Sequence, residues 1–535
     1  MTNTVTVPGT SAGSTITLSG ATQDVILLSQ EISDALNKAG ATLAVTAVSL
    51  GGGAQTLNAP TPTTVAGAKE QVVLTGKSSS NISVAAGIEY LIVATEAPVT
   101  VTASNTTIMT GTVGGSVFVG GNSTVAANGG DNVIVSFGTA QISAGAGNDT
   151  LAAVGDGTIS GGTGTNLMFV SGKSNVVQSS GSSDTVAASS GVSTVNSSGS
   201  NTLLFGNFGS DGSTLSASLS GSGATVAGGQ SDVNVTTSGS NTLIFGGFGK
   251  TAGALSFTDT GSNSTVAAGN SNVVSTLSGS AALFFGGTGH FAGTVNIVDT
   301  GTNDTISGLA SATTVTAGAG STGLWVFGGT GGLSFIGGAG TATVGGGSGG
   351  ARVEGGEGGV VFVSNASTDS VGGSGAATVF GSAGNSVAFG GSGKLMYAAG
   401  SGNETLIATG ASGDIIAFGG KGGNGALALG SGNDTVVAMG GSETISGGGG
   451  NDVLWYVAAY TSVGGGAHDF ILDFNDKMTI NTWGYDKTKT SADIISSAKV
   501  DGAGVTIKLS DNTEITFSGL SDASKLSGHF NYGNS

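Results

Sequence analysis

The chain lacks cysteine and is poor in proline and in charge. It has no Cys, 4 Pro among 535 residues, and only 9% charged residues. Without cysteine, disulfides and thiolate metal sites are excluded. No run of 18 apolar residues occurs, so the sequence predicts no membrane-spanning helix. The N-terminal stretch MTNTVTVPGTSAG has neither a basic nor an apolar signal region, so no Sec-type signal is expected there.

Basic residues are scarce as well, and 32 acidic against 14 basic residues give a net charge of −18. Such acidity argues against nucleic acid and anionic membranes as partners, and it is compatible with bound cations. Between Lys77 and Arg352 the only basic residues are Lys173 and Lys250. Because Lys and Pro protect exposed strand edges from pairing with other chains, their scarcity predicts self-association.

Glycine, by contrast, is abundant, with 103 residues and no Gly-X-Y period of the collagen type. The chain is 38% hydrophobic, and short Val, Ile, Leu and Phe clusters alternate with Gly, Ser, Thr, Asn and Asp. Disorder needs low hydrophobicity and high charge, so the composition does not favour it. The pattern is typical of many short strands joined by tight turns.

A 40-residue repeat organises the middle of the chain. SGSNTLLFGNFG, SGSNTLIFGGFG and SGSAALFFGGTG begin at Ser198, Ser238 and Ser278. A second marker runs in step, because ATVAGG, STVAAG and DTISGL begin at Ala224, Ser264 and Asp304. Four strand-length clusters per repeat would also suit a propeller blade or a sandwich meander. After Thr341, however, apolar residues recur every eight to eleven positions, which favours a parallel β-solenoid. These apolar residues are Val344, Val353, Phe362, Val371, Val379, Val387, Leu395, Leu406 and Ile416.

We therefore predict an all-β fold, a parallel β-solenoid or β-roll with an N-terminal β-rich cap and a C-terminal β module. The predicted boundaries are residues 1–100 for a β-rich cap or assembly module, 101–340 for a solenoid of about 40-residue repeats, 341–457 for a β-roll, and 458–535 for the C-terminal module. One helix is expected over SQEISDALNKAG, from Ser29 to Gly40. A hairpin is expected in GVTIKLSDNTEITFSGL, with its turn at Asp511–Asn512.

Acidic residues recur every nine positions near the end of the repeats. Residues 430–456 divide into GSGNDTVVA, MGGSETISG and GGGNDVLWY, with Asp434, Glu443 and Asp452 at the same place in each unit. In a two-sided roll, residues 18 apart stack on one edge. Asp434 and Asp452 are therefore expected to share an edge, and Asp414 to join them through a small insertion. Glu443 is expected on the opposite edge, where the position 18 before it is Gly425. Calcium takes six to eight oxygen ligands from carboxylates and backbone carbonyls, which such a row of glycine-rich turns would supply.

GSGNDTVVA and GGGNDVLWY resemble the nonapeptide of RTX (repeats-in-toxin) proteins, and GAGNDTLAA at Gly145 and GSGNETLIA at Gly400 are further matches. The tail, from HDFILDFNDKMTI at His468 onward, resembles the C-terminal module of that family. The resemblance implies a calcium-loaded β-roll and export by a type I secretion system through an uncleaved C-terminal signal. The calcium-site residues so implied are Asp149, Asp414, Gly430, Gly432, Asp434, Gly448, Gly450 and Asp452. For Asp149, Asp184, Asp304 and Glu404 the alternative is a turn residue that caps its own loop.

Enzyme motifs are weak in this sequence, which has no HExxH motif and no P-loop. The residues Phe205, Phe208, Phe245, Phe248, Phe284 and Phe285 recur at the repeat period. They indicate a stacked core ladder or, alternatively, a carbohydrate-stacking stripe. We expect a secreted, non-enzymatic structural protein of a surface layer, fibre or biofilm matrix, which self-associates and is stabilised by calcium. The alternative is an adhesin or carbohydrate-binding protein that contacts a polysaccharide or a cell surface. A polysaccharide-modifying enzyme is less favoured.

Overall fold

The computed structural model describes residues 3–7, 14–18, 44–49, 53–57, 70–207, 212–248, 250, 252–365, 369–462 and 466–533. Among the residues that it describes, strand predominates at 50% and helix accounts for 3%. The chain divides into two compact units, residues 1–272 and 273–535. Together the two units hold about 20 turns of parallel β-solenoid. The solenoid predicted from the repeats is thus confirmed. The expected helix at Ser29–Gly40 and the side chain of Phe208 lie outside the described residues.

The first unit contains the first 26 described strands. They are β1 (Asn3–Val7), β2 (Ser14–Leu18), β3 (Ala44–Ser49), β4 (Gly53–Leu57), β5 (Glu70–Gly76), β6 (Ser80–Val84), β7 (Ile88–Thr95), β8 (Val99–Ser104), β9 (Thr107–Thr110), β10 (Ser116–Gly120), β11 (Ser123–Ala126), β12 (Val133–Ser136), β13 (Ala140–Ser143), β14 (Thr150–Ala153), β15 (Gly157–Ser160), β16 (Leu167–Val170), β17 (Ser174–Ser179), β18 (Thr185–Ala188), β19 (Val192–Ser197), β20 (Leu203–Phe205), β21 (Thr214–Leu219), β22 (Thr225–Gly229), β23 (Asp232–Thr237), β24 (Leu243–Gly247), β25 (Leu255–Asp259) and β26 (Thr265–Ala267).

Apart from the antiparallel pair β1–β2, these strands form two parallel sheets. Each strand pairs with the strand two before it and the strand two after it, so odd-numbered and even-numbered strands separate. We call the two layers the odd sheet (β3 to β25 here) and the even sheet (β4 to β26 here). One coil is therefore an even strand, a turn, an odd strand and a second turn, which is the two-sided arrangement of a β-roll.

The second unit repeats this arrangement and adds short helices. Its strands are β27 (Val273–Leu277), β28 (Leu283–Phe285), β29 (Val295–Asp299), β30 (Thr305–Ser307), β31 (Thr313–Ala317), β32 (Leu324–Phe327), β33 (Leu333–Ile336), β34 (Ala342–Gly345), β35 (Ala351–Gly355), β36 (Val360–Val363), β37 (Asp369–Gly373), β38 (Ala377–Phe380), β39 (Ser386–Phe389), β40 (Leu395–Ala398), β41 (Thr405–Ile407), β42 (Ile415–Phe418), β43 (Asn424–Ala428), β44 (Thr435–Ala438), β45 (Ser442–Ser446), β46 (Val453–Val457), β47 (His468–Ile471), β48 (Thr479–Trp483), β49 (Lys499–Asp501), β50 (Gly504–Lys508), β51 (Glu514–Ser518) and β52 (Phe530–Tyr532). Its helices are α1 (Ala458–Thr461), α2 (Ser491–Ser496) and a 3₁₀ turn (Ala523–Leu526).

The C-terminal module continues both sheets of the second unit. β52 pairs in parallel with β48, and β51 pairs in parallel with β47. β50 and β51 form the predicted antiparallel hairpin, and Asn512 in its turn has a positive φ of 72°. The tail is therefore a closing element of the solenoid in this unit and not a separate sheet.

The 40-residue repeat corresponds to two coils of unequal length. Leu203 pairs with Thr225, which is 22 residues later, and Thr225 pairs with Leu243 after 18 more. The longer coil carries a larger turn after its Phe-containing strand. The markers NTLLF and ATVAG are thus the even strands of alternating coils.

Side chains alternate between the core and the outside along most of the described strands, because successive residues point to opposite faces. Leu204, Ile244 and Phe284 are fully buried. Their neighbours Phe205, Phe245 and Phe285 point to the outer face and are half-buried. The predicted core ladder of phenylalanines is therefore wrong for these three and for Phe248, which is 55% exposed. Of the anchors expected after Thr341, Val387 and Ile416 also point outward, since Ala388 and Ile415 occupy the core positions beside them.

Candidate metal-binding turns and buried acidic rows

Asp434 and Asp452 lie on the same row in neighbouring coils, each directly before an even strand. The backbone N–H of Asp434 donates to Oδ1 of Asp452 (3.1 Å), and that of Ile415 donates to Oδ1 of Asp434 (2.8 Å). Both aspartates are only 1% exposed. Their carboxyl groups therefore link three successive coils by hydrogen bonds on the inner side of the turn.

Asp414 does not join this row. Ile416 pairs with Thr435, so Ile415 occupies the inner position and Asp414 lies one residue outside it. There Asp414 is exposed, and its Oδ1 accepts the N–H of Asn433 (3.1 Å). The predicted row Asp414–Asp434–Asp452 is thus wrong at its first member. The register between these coils is 19 residues and not 20, and an offset of one residue moves a side chain to the opposite face.

The inner row is short because its two carboxyl groups lie between apolar residues. Ile415 precedes Asp434 on the row, and Met478 follows Asp452, since Val453 pairs with Thr479. Both apolar side chains are buried. The row therefore offers two carboxylates, with no third acidic residue at either end.

One oxygen of each carboxyl group is left without a hydrogen bond in the described part of the chain. Oδ2 of Asp434 and Oδ2 of Asp452 are buried and accept no hydrogen bond from the described residues. Burial, with a smaller contribution from neighbouring carboxylates, raises the pKa of Asp452 to about 6 and also raises that of Asp434. A buried ionised carboxylate is costly without a cation or several donors. These two groups consequently bind protons more readily than ordinary aspartates.

In the first unit the same inner row contains amides as well as acids. Asn132 donates through its backbone N–H (2.8 Å) and its Nδ2 (2.9 Å) to Oδ1 of Asp149. Asp149 in turn donates its N–H to Oδ1 of Asn166 (3.1 Å), and Asn166 donates its N–H to Oδ1 of Asp184 (2.7 Å). Asn and Asp thus make the same contact from the same position. The geometry of the row does not need a charge, which favours the turn interpretation of Asp149 and Asp184.

The two RTX-like turns bring few carboxyl groups together, and some of their oxygens already accept hydrogen bonds. Oδ1 of Asp452 is already bonded to a backbone N–H, and the carbonyl of Gly430 accepts the N–H of Gly449 (2.8 Å). Within the described ranges no group of three or more His, Cys, Asp or Glu is placed to hold a metal. Calcium needs six to eight oxygens, and the two carboxyl groups of these turns supply only part of such a set. Calcium binding stays a prediction from the sequence.

The four predicted turn glycines are required by close backbone stacking. A Cβ on Gly430 would overlap the carbonyl oxygen of Ala411, and one on Gly448 would overlap that of Gly430. Gly432 and Gly450 form a second stack, in which a Cβ on Gly450 would overlap the carbonyl oxygen of Gly432. The close stacking of the backbone therefore requires glycine at all four positions, whether or not a metal is bound.

Glu443 lies on the opposite edge, in the odd sheet, and pairs with Gly425 as the 18-residue spacing predicts. Its row continues to Asp469, whose Oδ1 accepts the N–H of Glu443 (2.8 Å). Oε1 of Glu443 accepts the N–H of Gly420 (2.8 Å). The sequence did not predict Asp469 in this row, because 26 residues separate it from Glu443. The intervening segment contains α1, so the spacing no longer shows which residues pair.

Glu443, Asp469 and Tyr456 form a buried acidic cluster; all three are at most 2% exposed. Burial raises the pKa of Glu443, and the negative charge of Asp469 raises it further. Burial also raises the pKa of Asp469, and the same effect raises that of the Tyr456 hydroxyl. The pair of carboxyl groups therefore retains a proton at neutral pH.

Glu404, in the match GSGNETLIA, is a further buried acid. It is 1% exposed, and its Oε2 accepts the N–H of Gly400 (2.5 Å). Its Oε1 is buried without a hydrogen-bond partner in the described part of the chain. Burial raises its pKa to about 7.

No protein-family model, curated protein or solved structure matches this chain. The resemblance of the nonapeptides to RTX repeats therefore rests on the motifs themselves. In the described part of the chain, no helix has the length and apolar character needed to cross a membrane.

Asp452→Asn should leave the fold intact in the presence of a chelator and should stabilise it at pH 8. Asn132 and Asn166 already occupy equivalent positions, and the amide oxygen can accept the same backbone N–H. Removal of a buried charge should raise the unfolding free energy by about 1–2 kcal/mol at pH 8. Thermal unfolding followed by circular dichroism tests this, with Asp414→Asn in the exposed row as the matched control. A loss of stability confined to Asp452→Asn would show that the carboxylate itself is needed.

Proposed function

We propose that this β-solenoid repeat protein is a secreted, non-enzymatic structural protein that assembles with further copies into an extracellular layer, fibre or matrix. Repeat solenoids bury their core between neighbouring coils and leave broad, regular outer faces. The proposal rests on one such face.

The outer face of the even sheet has no charged residue in any of its described strands. This holds from β4 to β26 in the first unit, and for β28 to β48 and β52 in the second; β50, which carries Lys508, pairs with β51 in the odd sheet. The odd sheet differs, because Arg352 and Glu354 lie on β35 and Asp232 lies on β23. For a chain of net charge −18, an uncharged face of this length is unlike the surface of a monomer that stays soluble through charge repulsion.

Large apolar side chains are exposed on this face in the second unit. Trp325 is 49% exposed and Phe327 is 40% exposed, with ring centroids 6.1 Å apart. Others on the same face are Val361, Val363, Phe380, Ile416 and Trp455, all 36–46% exposed. Contiguous exposed apolar patches on soluble proteins mark interaction sites.

The route and the setting of this function follow from the resemblance to RTX proteins. Export by a type I secretion system, an extracellular or cell-surface location and calcium stabilisation are carried over from the nonapeptides and the tail. Burial of ionised carboxyl groups opposes folding. The chain would therefore fold more readily where cations or protons neutralise these groups. A calcium titration followed by circular dichroism tests the metal part separately, and no change in β signal or unfolding temperature would contradict it.

Purified full-length protein should form layers, filaments or other ordered oligomers at high concentration. The uncharged faces would exclude water on contact, which is the dominant favourable term in protein association. Sedimentation velocity and negative-stain electron microscopy, in millimolar calcium and in chelator, measure the assembly. A protein that stays monomeric in both conditions would contradict the proposed function.

An adhesin or carbohydrate-binding protein is the second candidate, favoured by a groove on the odd sheet of the second unit. The groove has a volume of about 640 Å³, and its lining combines Phe389 with Arg352, Glu354, Ser370 and Ser392. An aromatic ring next to a few polar side chains suits a sugar. Binding to a glycan array that is lost in Phe389→Ala would support this candidate.

A further inference from the structure

The outer face of the even sheet alternates large and small residues from one strand to the next in the first unit. One column of paired residues runs Phe169, Ala187, Phe205, Ala227, Phe245, Ala267 across β16 to β26. The column beside it runs Leu167, Thr185, Leu203, Thr225, Leu243, Thr265. Strands with Leu and Phe thus form ridges, and strands with Thr and Ala form the grooves between them.

The relief is a consequence of the repeat. Each 40-residue repeat contains two coils, and the LLF-type and TVA-type even strands belong to alternating coils. Neighbouring strands in a sheet are about 4.8 Å apart, so ridges recur every ~10 Å. In the second unit the same alternation begins again, with Phe285, Ser307, Phe327 and Gly345 in one column.

We infer that this ridged face of the first unit, β16 to β26, is the surface on which a second copy of the chain binds. The inference rests on the proposed structural function and specifies the surface through which two copies bind. Two copies related by a two-fold axis parallel to the strands run antiparallel along the solenoid. If the axis passes midway between a Phe strand and an Ala strand, every Phe faces an Ala and every Leu faces a Thr. A face with strict alternation is therefore complementary to itself, as a two-fold interface requires.

Charge favours a second copy over a charged partner. Copies that each carry −18 repel one another over most of their surface, but no charged residue lies on β4 to β26 of the even sheet. Neither a basic nor an acidic partner would find an opposite charge there. A like copy can approach on this face without burying an unpaired charge.

The area of the ridged face sets the strength of the contact. Six even strands of about four residues, with a spacing of ~4.8 Å and a rise of ~3.3 Å per residue, span roughly 29 by 13 Å, or about 380 Å². A stable specific interface buries about 800 Å² on each partner, so one pair of these faces should associate weakly and reversibly. Interlocking of Phe with Ala across two sheets is the packing that dry sheet interfaces use.

The test fills the grooves without lowering hydrophobicity. Ala187→Phe/Ala227→Phe turns two grooves of the first unit into ridges and leaves the core unchanged, because both alanines point outward. Ser218→Phe, exposed on the odd sheet, adds an aromatic ring to the other side as the control. Circular dichroism confirms that both variants are folded, and sedimentation velocity of the full chain then gives the association constant. We expect association at least tenfold weaker for the groove-filled variant and unchanged for Ser218→Phe.

The outcomes separate this inference from the proposed function. If the groove-filled variant associates as well as the wild type or better, association is non-specific or uses another face; the inference is then overturned and the structural function stands. If the wild type is monomeric under all conditions, both fail. If the wild type sediments with an insoluble polysaccharide, and the groove-filled variant does not, a polysaccharide occupies this face and the second-copy inference is overturned.

Discussion

Gly450→Ala is expected to destabilise the last coils of the solenoid strongly, by about 2–4 kcal/mol. Gly450 has a positive φ of 105°, which L side chains rarely adopt, and a Cβ there would overlap the carbonyl oxygen of Gly432 in the preceding coil. The overlapping atom belongs to the backbone, so a side-chain rotation cannot relieve the overlap. Because the stability of a solenoid is roughly a sum of neighbour terms, the loss should open the coils from β44 onward first. Limited proteolysis and thermal unfolding measure it.

Gly449→Ala is the matched control in the same turn. Gly449 does not have a positive φ, and the nearest atoms to its Cβ are those of Ser431 at 3.7 and 3.8 Å, an ordinary contact. The substitution should therefore change stability by less than about 0.5 kcal/mol. Equal effects at the two positions would mean that the coils do not stack as described.

Raising the pH from 5 to 8 should destabilise the folded protein, contrary to the usual behaviour of surface carboxylates. Burial raises the pKa of Glu404 from its ordinary 4.5 to about 7. Between these values the folded state keeps a proton that the unfolded chain has lost. The stabilising contribution is therefore complete below pH 4.5 and is lost as the pH rises through about 7. For Glu404 alone the change corresponds to about 2–3 kcal/mol.

Glu443 and Asp469 should contribute in the same direction, since burial raises the pKa of both and Asp469 adds a like charge beside Glu443. Their proton should be lost at a higher pH than that of an exposed glutamate. Denaturant unfolding at a series of pH values measures the slope.

Glu404→Gln should remove part of this pH dependence and make the protein more stable at pH 8. The amide oxygen can accept the N–H of Gly400, and no proton is needed to neutralise the side chain. Glu357→Gln, at an exposed turn, is the control and should leave the pH profile unchanged. A wild-type stability that rises from pH 5 to pH 8 would contradict the assignment of these buried acids.

Much of the fold was predictable because the repeat and the alternation carry it. The 40-residue markers and the later spacing of eight to eleven residues predicted stacked short strands, and the turn at Asp511–Asn512 predicted the C-terminal hairpin. Asp434 and Asp452 stack because no insertion separates their coils. These features depend on local sequence and regular spacing, which a single chain displays directly.

Features that depend on register across an irregular turn were not predictable. Asp414 missed the inner row by one residue, because the insertion between its coil and the next is one residue shorter than the spacing suggested. Asp469 joined the row of Glu443 across 26 residues that contain α1. A turn of variable length does not reveal which residue begins the next strand, and only backbone pairing fixes it.

The sequence by itself determined that this is an all-β solenoid, that its coils alternate in composition, and that glycine must line its turns. The tertiary structure decided which side of each strand faces the core. It placed Leu204 inside and Phe205 outside, so that the recurring phenylalanines became an outer relief and not a core ladder. It also turned the acids of the RTX-like turns inward, onto backbone donors of the neighbouring coil. Both outcomes have one physical cause: in a strand, adjacent residues point in opposite directions, and only pairing with the next coil sets which residue comes first.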